Sequence, residues 1–185
     1  MRYFIGFLIT IGLIILLIIL LLSGGGNKNK TPTQQPLISY ANSDAEVSVL
    51  VDGPVNAEQN HEQVRITVAR DHVTYEKLSG YDGKITDSKT FANTGSSYDS
   101  FLHALQHAGF TLGVNTKALQ DERGFCSSGN RYIYELAQDG SLIQRYWTSD
   151  CDKPKTYLGD QATTLGLFES QVPGWEELDK GQLSL

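Results

Sequence analysis

The chain has 185 residues and a net charge of −6, with 21 Asp and Glu residues against 15 Lys and Arg residues. All 21 acidic residues lie after residue 36 and 3 of the 15 basic residues lie before it, so the later part of the chain carries about −9 and has no basic cluster. Because nucleic acids and anionic lipid surfaces are both recognised by positive patches, this composition excludes nucleic acid as a partner.

The first predicted element is an uninterrupted apolar segment. Residues 3–22 read YFIGFLITIGLIILLIILLL and contain no charged side chain. A helix of that length spans roughly 30 Å, the thickness of the hydrocarbon core of a bilayer. A cleaved signal peptide is the alternative, but its apolar region is about 7–15 residues long and ends at small residues, whereas Leu and Ile precede Ser23. We therefore predict an uncleaved transmembrane anchor over residues 1–22, which contacts the membrane through residues 3–22.

The linker and the cysteines determine the predicted orientation. Residues 23–37 are rich in Gly, Asn, Lys and Pro and have no apolar periodicity, which predicts a flexible linker. Basic residues flank the anchor on both sides, Arg2 before it and Lys28 and Lys30 after it, so the positive-inside rule does not decide. The two cysteines suit a disulfide, which persists outside the cytosol. We therefore expect a cytoplasmic N-terminus and an extracytoplasmic domain over residues 38–185 at the cell membrane.

The first half of this domain is predicted to be an antiparallel meander of four strands. Two segments, VSVLVDG from Val47 and EQVRITVARD from Glu62, alternate β-branched with polar residues, which is typical of strands with one buried face. The next segment, HVTYEKLSGYDGKITDSKTF, reads as two further strands around the Asp82-Gly83 turn, since Asp-Gly favours tight hairpin turns.

Two helices and one further hairpin complete the predicted order. The segment SSYDSFLHALQHAGF begins with a capping pattern at Ser96 and Asp99 and carries an apolar stripe at helical spacing. A second helix follows in DQATTLGLFESQVPG, with Leu165, Phe168 and Val172 on one face. The sequence therefore predicts an α+β fold, in which one antiparallel sheet of about six strands has two helices packed on it.

The two cysteines predict a structural disulfide. Cys126 and Cys151 flank a hairpin that turns at Asp139-Gly140, and the register brings them one pleat apart at its open end, where a small departure from ladder geometry allows the bond. A structural zinc site needs four ligands, and a redox pair favours the C-x-x-C spacing, which these cysteines do not have. The serine-nucleophile pattern G-x-S-x-G does not fit GFCSSG. Closing this loop would stabilise the domain by roughly 3 kcal/mol.

The same hairpin predicts an aromatic face. A two-residue turn sets Tyr132 opposite Trp147 and Tyr134 opposite Arg145, so that these four side chains share one face. Aromatic and Arg side chains are favoured at binding sites, and one interpretation is therefore a ligand surface. The alternative is core packing, which we favour for Trp147, and the sequence leaves the role of Arg145 open.

Other candidate chemistry is weak. His103 and His107 stand four residues apart on the first helix, a spacing that can place two imidazoles on one metal ion. Their pattern H-A-L-Q-H lacks the Glu of the H-E-x-x-H motif and no third ligand is identifiable, so we favour two solvent-exposed histidines. The carboxylates of DGPVNAEQNHEQ and DERG read as polar loops. We therefore predict no catalytic residue, no metal site and no cofactor.

Three segments carry a resemblance to a known group of proteins: MRYFIGFLITIGLIILL, DGPVNAEQNHEQVRITVARD, and GNRYIYELAQDG with its flanking cysteines. Over most of its length the chain resembles an uncharacterised family of exported, single-pass membrane-anchored proteins from small-genome, host-attached bacteria. The resemblance implies a location in the cell envelope, and it implies no activity and no catalytic residue.

These features together predict a non-enzymatic binding or assembly module that is anchored in the membrane and has a protein partner in the cell envelope. Two alternatives stay open. One is a membrane-anchored hydrolase that acts on envelope polymers. The other is a receptor for a small ligand or a glycan, which would use the face with Tyr132, Tyr134 and Trp147.

Overall fold

In the computed structural model, which describes residues 35–178, six strands form one antiparallel sheet. The strands are β1 (Ala45–Asp52), β2 (Glu62–Val68), β3 (His72–Ser79), β4 (Lys84–Ala92), β5 (Arg131–Gln138) and β6 (Ser141–Ser149). Their spatial order is β4-β3-β2-β1-β5-β6, so the β5–β6 hairpin extends the meander beside β1. The helices in the same residues are α1 (Gly95–His107), α2 (Gln161–Glu169) and the short α3 (Trp175–Leu178). The predicted α+β fold is confirmed.

One face of the sheet is apolar because side chains alternate along each strand. Val47, Val49 and Val51 of β1 are at most 2% exposed. Val49 lies between Ile66 of β2 and Tyr134 of β5, which are also buried. This face, covered by α1 and α2, contains the main core, and we call it the helix-covered face.

The two longer helices cover that face with the stripes that the sequence predicts. The buried residues of α1 are Tyr98, Phe101, Leu102 and Leu105. On α2, Leu165 and Phe168 are buried. The rings of Phe101 and Phe168 meet edge to face with 5.3 Å between their centroids, an arrangement that aromatic pairs prefer. The helices are therefore held by apolar contacts distributed along their lengths.

The N-terminus of α1 lies earlier than predicted. Thr94, which has an extended backbone, caps the helix, and its hydroxyl accepts a hydrogen bond from the backbone N–H of Ser97 at 3.2 Å. Ser96 already lies in the first turn, so the predicted capping pattern at Ser96 and Asp99 is wrong. Helix α2 begins in the same way, since Asp160 accepts from the backbone N–H of Thr163 at 2.9 Å.

The predicted anchor and residues 23–34 of the predicted linker lie outside the described residues. Between residues 35 and 178, no helix is long and apolar enough to cross a membrane. Leu37, the last residue of the predicted linker, is fully buried in a 3-10 turn at Leu37–Tyr40. The backbone N–H of Ile38 donates to Gln106 of α1 at 3.4 Å. The folded domain therefore includes Leu37.

The opposite face of the sheet is covered on β5 and β6 by residues 117–127, which we call the covering loop. Ile133 and Trp147 lie on this side and are each 1% exposed. The loop contains one short 3-10 turn, Lys117–Leu119, and no regular apolar spacing. The two faces of the sheet are thus buried by different kinds of structure.

Candidate functional site

The β5–β6 hairpin departs from the predicted register by one residue. The Asp139-Gly140 turn is as predicted, but Ile143 is an extra residue that has no partner on β5. Beyond this bulge, Trp147 lies opposite Ile133 rather than opposite Tyr132. Because side chains alternate between the two faces, a shift of one residue moves Trp147 to the other side of the sheet. The predicted register is therefore wrong beyond the bulge.

Tyr132 and Tyr134 lie on the helix-covered face and are 1% and 0% exposed. The ring of Tyr134 contacts Tyr157, with 4.4 Å between centroids. The hydroxyl of Tyr132 donates to the carboxylate of Asp150 at 2.9 Å. Burial, and second the hydrogen bond to Asp150, raise the pKa of Tyr132 to about 12. Both side chains therefore belong to the core.

Arg145 and Trp147 lie on the other face and hold the covering loop. The indole N–H of Trp147 donates to the backbone oxygen of Leu119 at 2.7 Å. The guanidinium of Arg145 donates to the carboxylate of Glu122 at 2.6 Å and to the backbone oxygen of Gln120 at 3.0 Å. Core packing is confirmed for Trp147. The four predicted residues do not share a face, and only Arg145 is partly exposed, at 27% of its side chain.

The predicted disulfide is confirmed. Cys126 and Cys151 are bonded, with 5.6 Å between their Cα atoms. The bond ties the end of the covering loop to the residues that follow β6. Next to it, the backbone oxygen of Ser127 accepts from the N–H of Val55 at 2.8 Å, which joins the loop to the segment after β1. The disulfide therefore fixes the end of the covering loop beside β6.

His103 and His107 are exposed on α1. Among residues 35–178, no group of three or more His, Cys, Asp or Glu side chains has an arrangement that could hold a metal ion. The two histidines therefore have no third ligand within the part of the chain that the structure describes.

A buried charged cluster lies at the end of β1. Asp52 pairs across the sheet with Gln63 on β2 and with Arg131 on β5. Its carboxylate accepts from Gln63 at 2.9 Å and lies 2.8 Å from both Arg131 Nη2 and His61 Nε2. Asp52, Arg131 and His61 are 6%, 2% and 0% exposed. Buried charges are costly unless they are paired, so these partners stabilise one another.

His61 is engaged at both ring nitrogens. Nδ1 lies 3.2 Å from the backbone oxygen of Pro54, and Nε2 lies 2.8 Å from Asp52. The ring of Tyr81 stacks on it, with 4.0 Å between centroids. A general base needs a nitrogen within reach of its substrate, and His61 has none that is unengaged. We therefore interpret the cluster as structural.

This cluster was not predicted, because the segment DGPVNAEQNHEQ has the composition of a polar loop. One signal was present. Asp52 directly follows the apolar residues of VSVLVD, and a carboxylate that becomes buried at the end of such a strand needs a cationic partner. The identity of that partner depends on the pairing of β1 with β5, which is distant in sequence.

A polar cleft of about 420 Å³ lies at the other end of β1. Its charged and polar lining residues are Asp44, Glu46, Arg70, Asp71, His72 and Asn93. Asp71 lies 2.6 Å from His72 Nδ1, and this hydrogen bond holds the pKa of the Asp71 carboxyl below its usual range. The mixture of positive and negative groups can form charge-assisted hydrogen bonds with a small polar ligand.

An apolar patch lies beside β6. It consists of Leu112, Val114 and Leu158, whose exposed fractions are 56%, 40% and 54%. Backbone hydrogen bonds join the two segments that carry them, from the N–H of Leu158 to Leu112 at 3.0 Å and from the N–H of Val114 to Thr156 at 2.9 Å. The patch is therefore a fixed feature of the surface.

No protein-family model matches the chain, and no curated protein sequence matches it.

Proposed function

We propose that the chain is a non-enzymatic binding or assembly module of the cell envelope, anchored through residues 3–22, whose extracytoplasmic domain contacts a protein partner through the apolar patch. The observation that carries the proposal is the patch itself. Leu112, Val114 and Leu158 expose aliphatic side chains on two segments that backbone hydrogen bonds join. Grouped apolar side chains on a surface mark sites of protein contact, whereas single ones need no explanation.

Two further features favour a protein partner over a catalytic role. The fully buried His61 has both ring nitrogens engaged and therefore offers no free nitrogen to a substrate. The apolar segment, the linker and the disulfide all favour a domain held close to the outer surface of the membrane.

The test is co-purification of the full-length chain from native membranes in mild detergent, with bound proteins quantified by mass spectrometry. We expect a stoichiometric partner that is lost when the domain is deleted and kept when the anchor is exchanged. Leu112→Ser with Leu158→Ser should reduce its recovery about tenfold or more, since central apolar side chains carry much of the affinity of an interface.

The matched control is Leu142→Ser with Ile143→Ser, which changes two aliphatic side chains that are 56% and 44% exposed at the tip of the β5–β6 hairpin. The control should retain the partner. A partner that binds the patch variant as well as the control variant would contradict the proposal.

A second candidate function is a receptor for a small polar ligand, favoured by the polar cleft. Its volume of about 420 Å³ lies within the usual range of ligand sites. A ligand of this cleft should raise the thermal unfolding midpoint of the chain, but not that of the Arg70→Ala with His72→Ala variant. Equal shifts in both proteins would rule out binding in the cleft.

A further inference from the structure

The outer edge of β4 is unpaired within residues 35–178. β4 stands at the end of the sheet and pairs there with β3 alone. Eight of its nine residues are exposed. An open edge presents a row of backbone N–H and C=O groups, which can pair with the edge of another strand. Which strand can pair with this edge depends on the side chains that would lie opposite those of β4.

The sequence of β4, KITDSKTFA, is complementary to itself when turned antiparallel about Ser88. In that alignment, Asp87 of one copy lies opposite Lys89 of the second copy, and Lys89 lies opposite Asp87. Opposite charges directly across two strands stabilise the pairing. We propose that two copies of this chain pair antiparallel through their β4 edges, about a two-fold axis at Ser88, so that their sheets become continuous.

The charges of β4 select this register over its neighbours. An axis at Asp87 or at Lys89 would place that residue against its own copy, and like charges directly across two strands are destabilising. An axis between Asp87 and Ser88, or between Ser88 and Lys89, would leave both charged residues opposite uncharged side chains. The Ser88 register therefore makes two favourable charge pairs that the adjacent registers lack.

The central pairs lie on regular strand. The irregularity of β4 is at Thr86, an extra residue relative to β3, and Asp87 already pairs with Lys77 in register. Beyond this bulge, Ile85 pairs with Leu78 and lies on the face of the sheet opposite to Phe91, which pairs with Val73. The proposed contact is therefore carried by the central residues 87–89.

The first test is oxidative cross-linking of the full-length chain in membranes. Ser88→Cys places the new thiol next to its own copy, because Cα atoms of directly opposed residues are about 4.5–5.5 Å apart, within the range of a disulfide. Thr90→Cys is the matched control, since the two copies of residue 90 would be about 13 Å apart along the strands. We expect disulfide-linked dimers from Ser88→Cys and at least tenfold fewer from Thr90→Cys. Equal cross-linking of both variants, or none of either, would overturn the proposal.

The second test exchanges the charges in the Ser88→Cys background. Asp87→Lys alone and Lys89→Asp alone each set like charges opposite one another, and both should reduce cross-linking about tenfold. The double exchange, Asp87→Lys with Lys89→Asp, restores opposite charges and should restore cross-linking. Both positions are exposed, and an unchanged thermal unfolding midpoint checks the fold. A double exchange that cross-links no better than the single variants would show that these charges do not face each other.

Discussion

The helix-covered face and the face under the covering loop are buried by different means. On the first, apolar side chains recur at helical and strand spacing, and pairs such as Phe101 and Phe168 contribute along the whole surface. On the second, the loop is held by a few specific contacts, among them the bond of Trp147 to Leu119 and the disulfide. A core with many distributed contacts loses stability gradually as single contacts are removed. A loop held by a few contacts should open when one of them is removed, while the rest of the sheet remains folded.

The largest effect is expected on the helix-covered face. Phe168 is fully buried and contacts Phe101 and Phe110, so Phe168→Ala should lower the free energy of unfolding by about 3–5 kcal/mol. The measurement is urea unfolding of the full-length chain in detergent, followed by tryptophan fluorescence.

The matched variant is Phe125→Ala, which removes a ring that stacks on Trp147 at 5.5 Å and is only half-buried. Its cost should be clearly smaller. Equal costs would mean that the covering loop belongs to the same cooperative core as the helices.

The next effect concerns the disulfide. Cys126→Ser with Cys151→Ser removes a link across 25 residues, which should lower the free energy of unfolding by about 3 kcal/mol. The covering loop should be the first part of the domain to unfold. In a Trp175→Phe background, the emission of Trp147 should shift to longer wavelength at a lower urea concentration than the loss of helical circular dichroism. Coincident transitions would contradict a loop that opens by itself.

The helix-covered face was predictable from the sequence because its signals are local. Val47, Val49 and Val51 alternate, and the stripe of α1 has helical spacing, so each element shows which side it buries. The succession of strands and helices along the chain, the Asp139-Gly140 turn and the disulfide followed from the same kind of local pattern, whereas the spatial order of the strands in the sheet was not predicted. The cap of α1 was misplaced, because Thr94 and Ser96 are both good capping residues and the backbone decides between them.

The other face was not predictable to the same extent, because its arrangement depends on contacts between distant residues. The bulge at Ile143 leaves the turn unchanged, yet it moves Trp147 to the opposite side of the sheet. On that side, the indole N–H of Trp147 donates to the covering loop at Leu119. The cluster of Asp52, His61 and Arg131 likewise exists only after β1 has paired with β5.

A smaller effect is expected for Arg145. Arg145→Met would leave Glu122, which is 8% exposed, without its cationic partner, and should lower the free energy of unfolding by about 2 kcal/mol. The control is Arg123→Met, because Arg123 pairs with Asp121 on the surface, where both side chains are more than half exposed. The control should leave the unfolding midpoint unchanged, since exposed pairs contribute little. If both variants unfolded like the unmodified chain, Arg145 would not hold the covering loop.

The smallest effect concerns Tyr132, whose ring lies on the helix-covered face while its hydroxyl contacts Asp150 beside the disulfide. Tyr132→Phe should lower the free energy of unfolding at pH 7 by about 1 kcal/mol, through the lost hydrogen bond. The substitution should have a clearer effect on the free energy of unfolding at high pH. Burial raises the pKa of Tyr132 to about 12, whereas an unfolded tyrosine ionises near pH 10, so the unfolded state releases the proton first.

The free energy of unfolding should therefore fall as the pH rises from 10 to 12, and Tyr132→Phe should remove part of that fall. Tyr98 and Tyr157 also have pKa values raised by burial, so the variant should retain a reduced dependence on pH. The measurement is urea unfolding at pH 9 and at pH 11 for both proteins. An identical difference between the two pH values would mean that Tyr132 is already in contact with water in the folded chain. In that case the end of β5 next to the disulfide would open together with the covering loop. The part of the sheet that stays folded with the helices would then begin further along β5, beyond Tyr132.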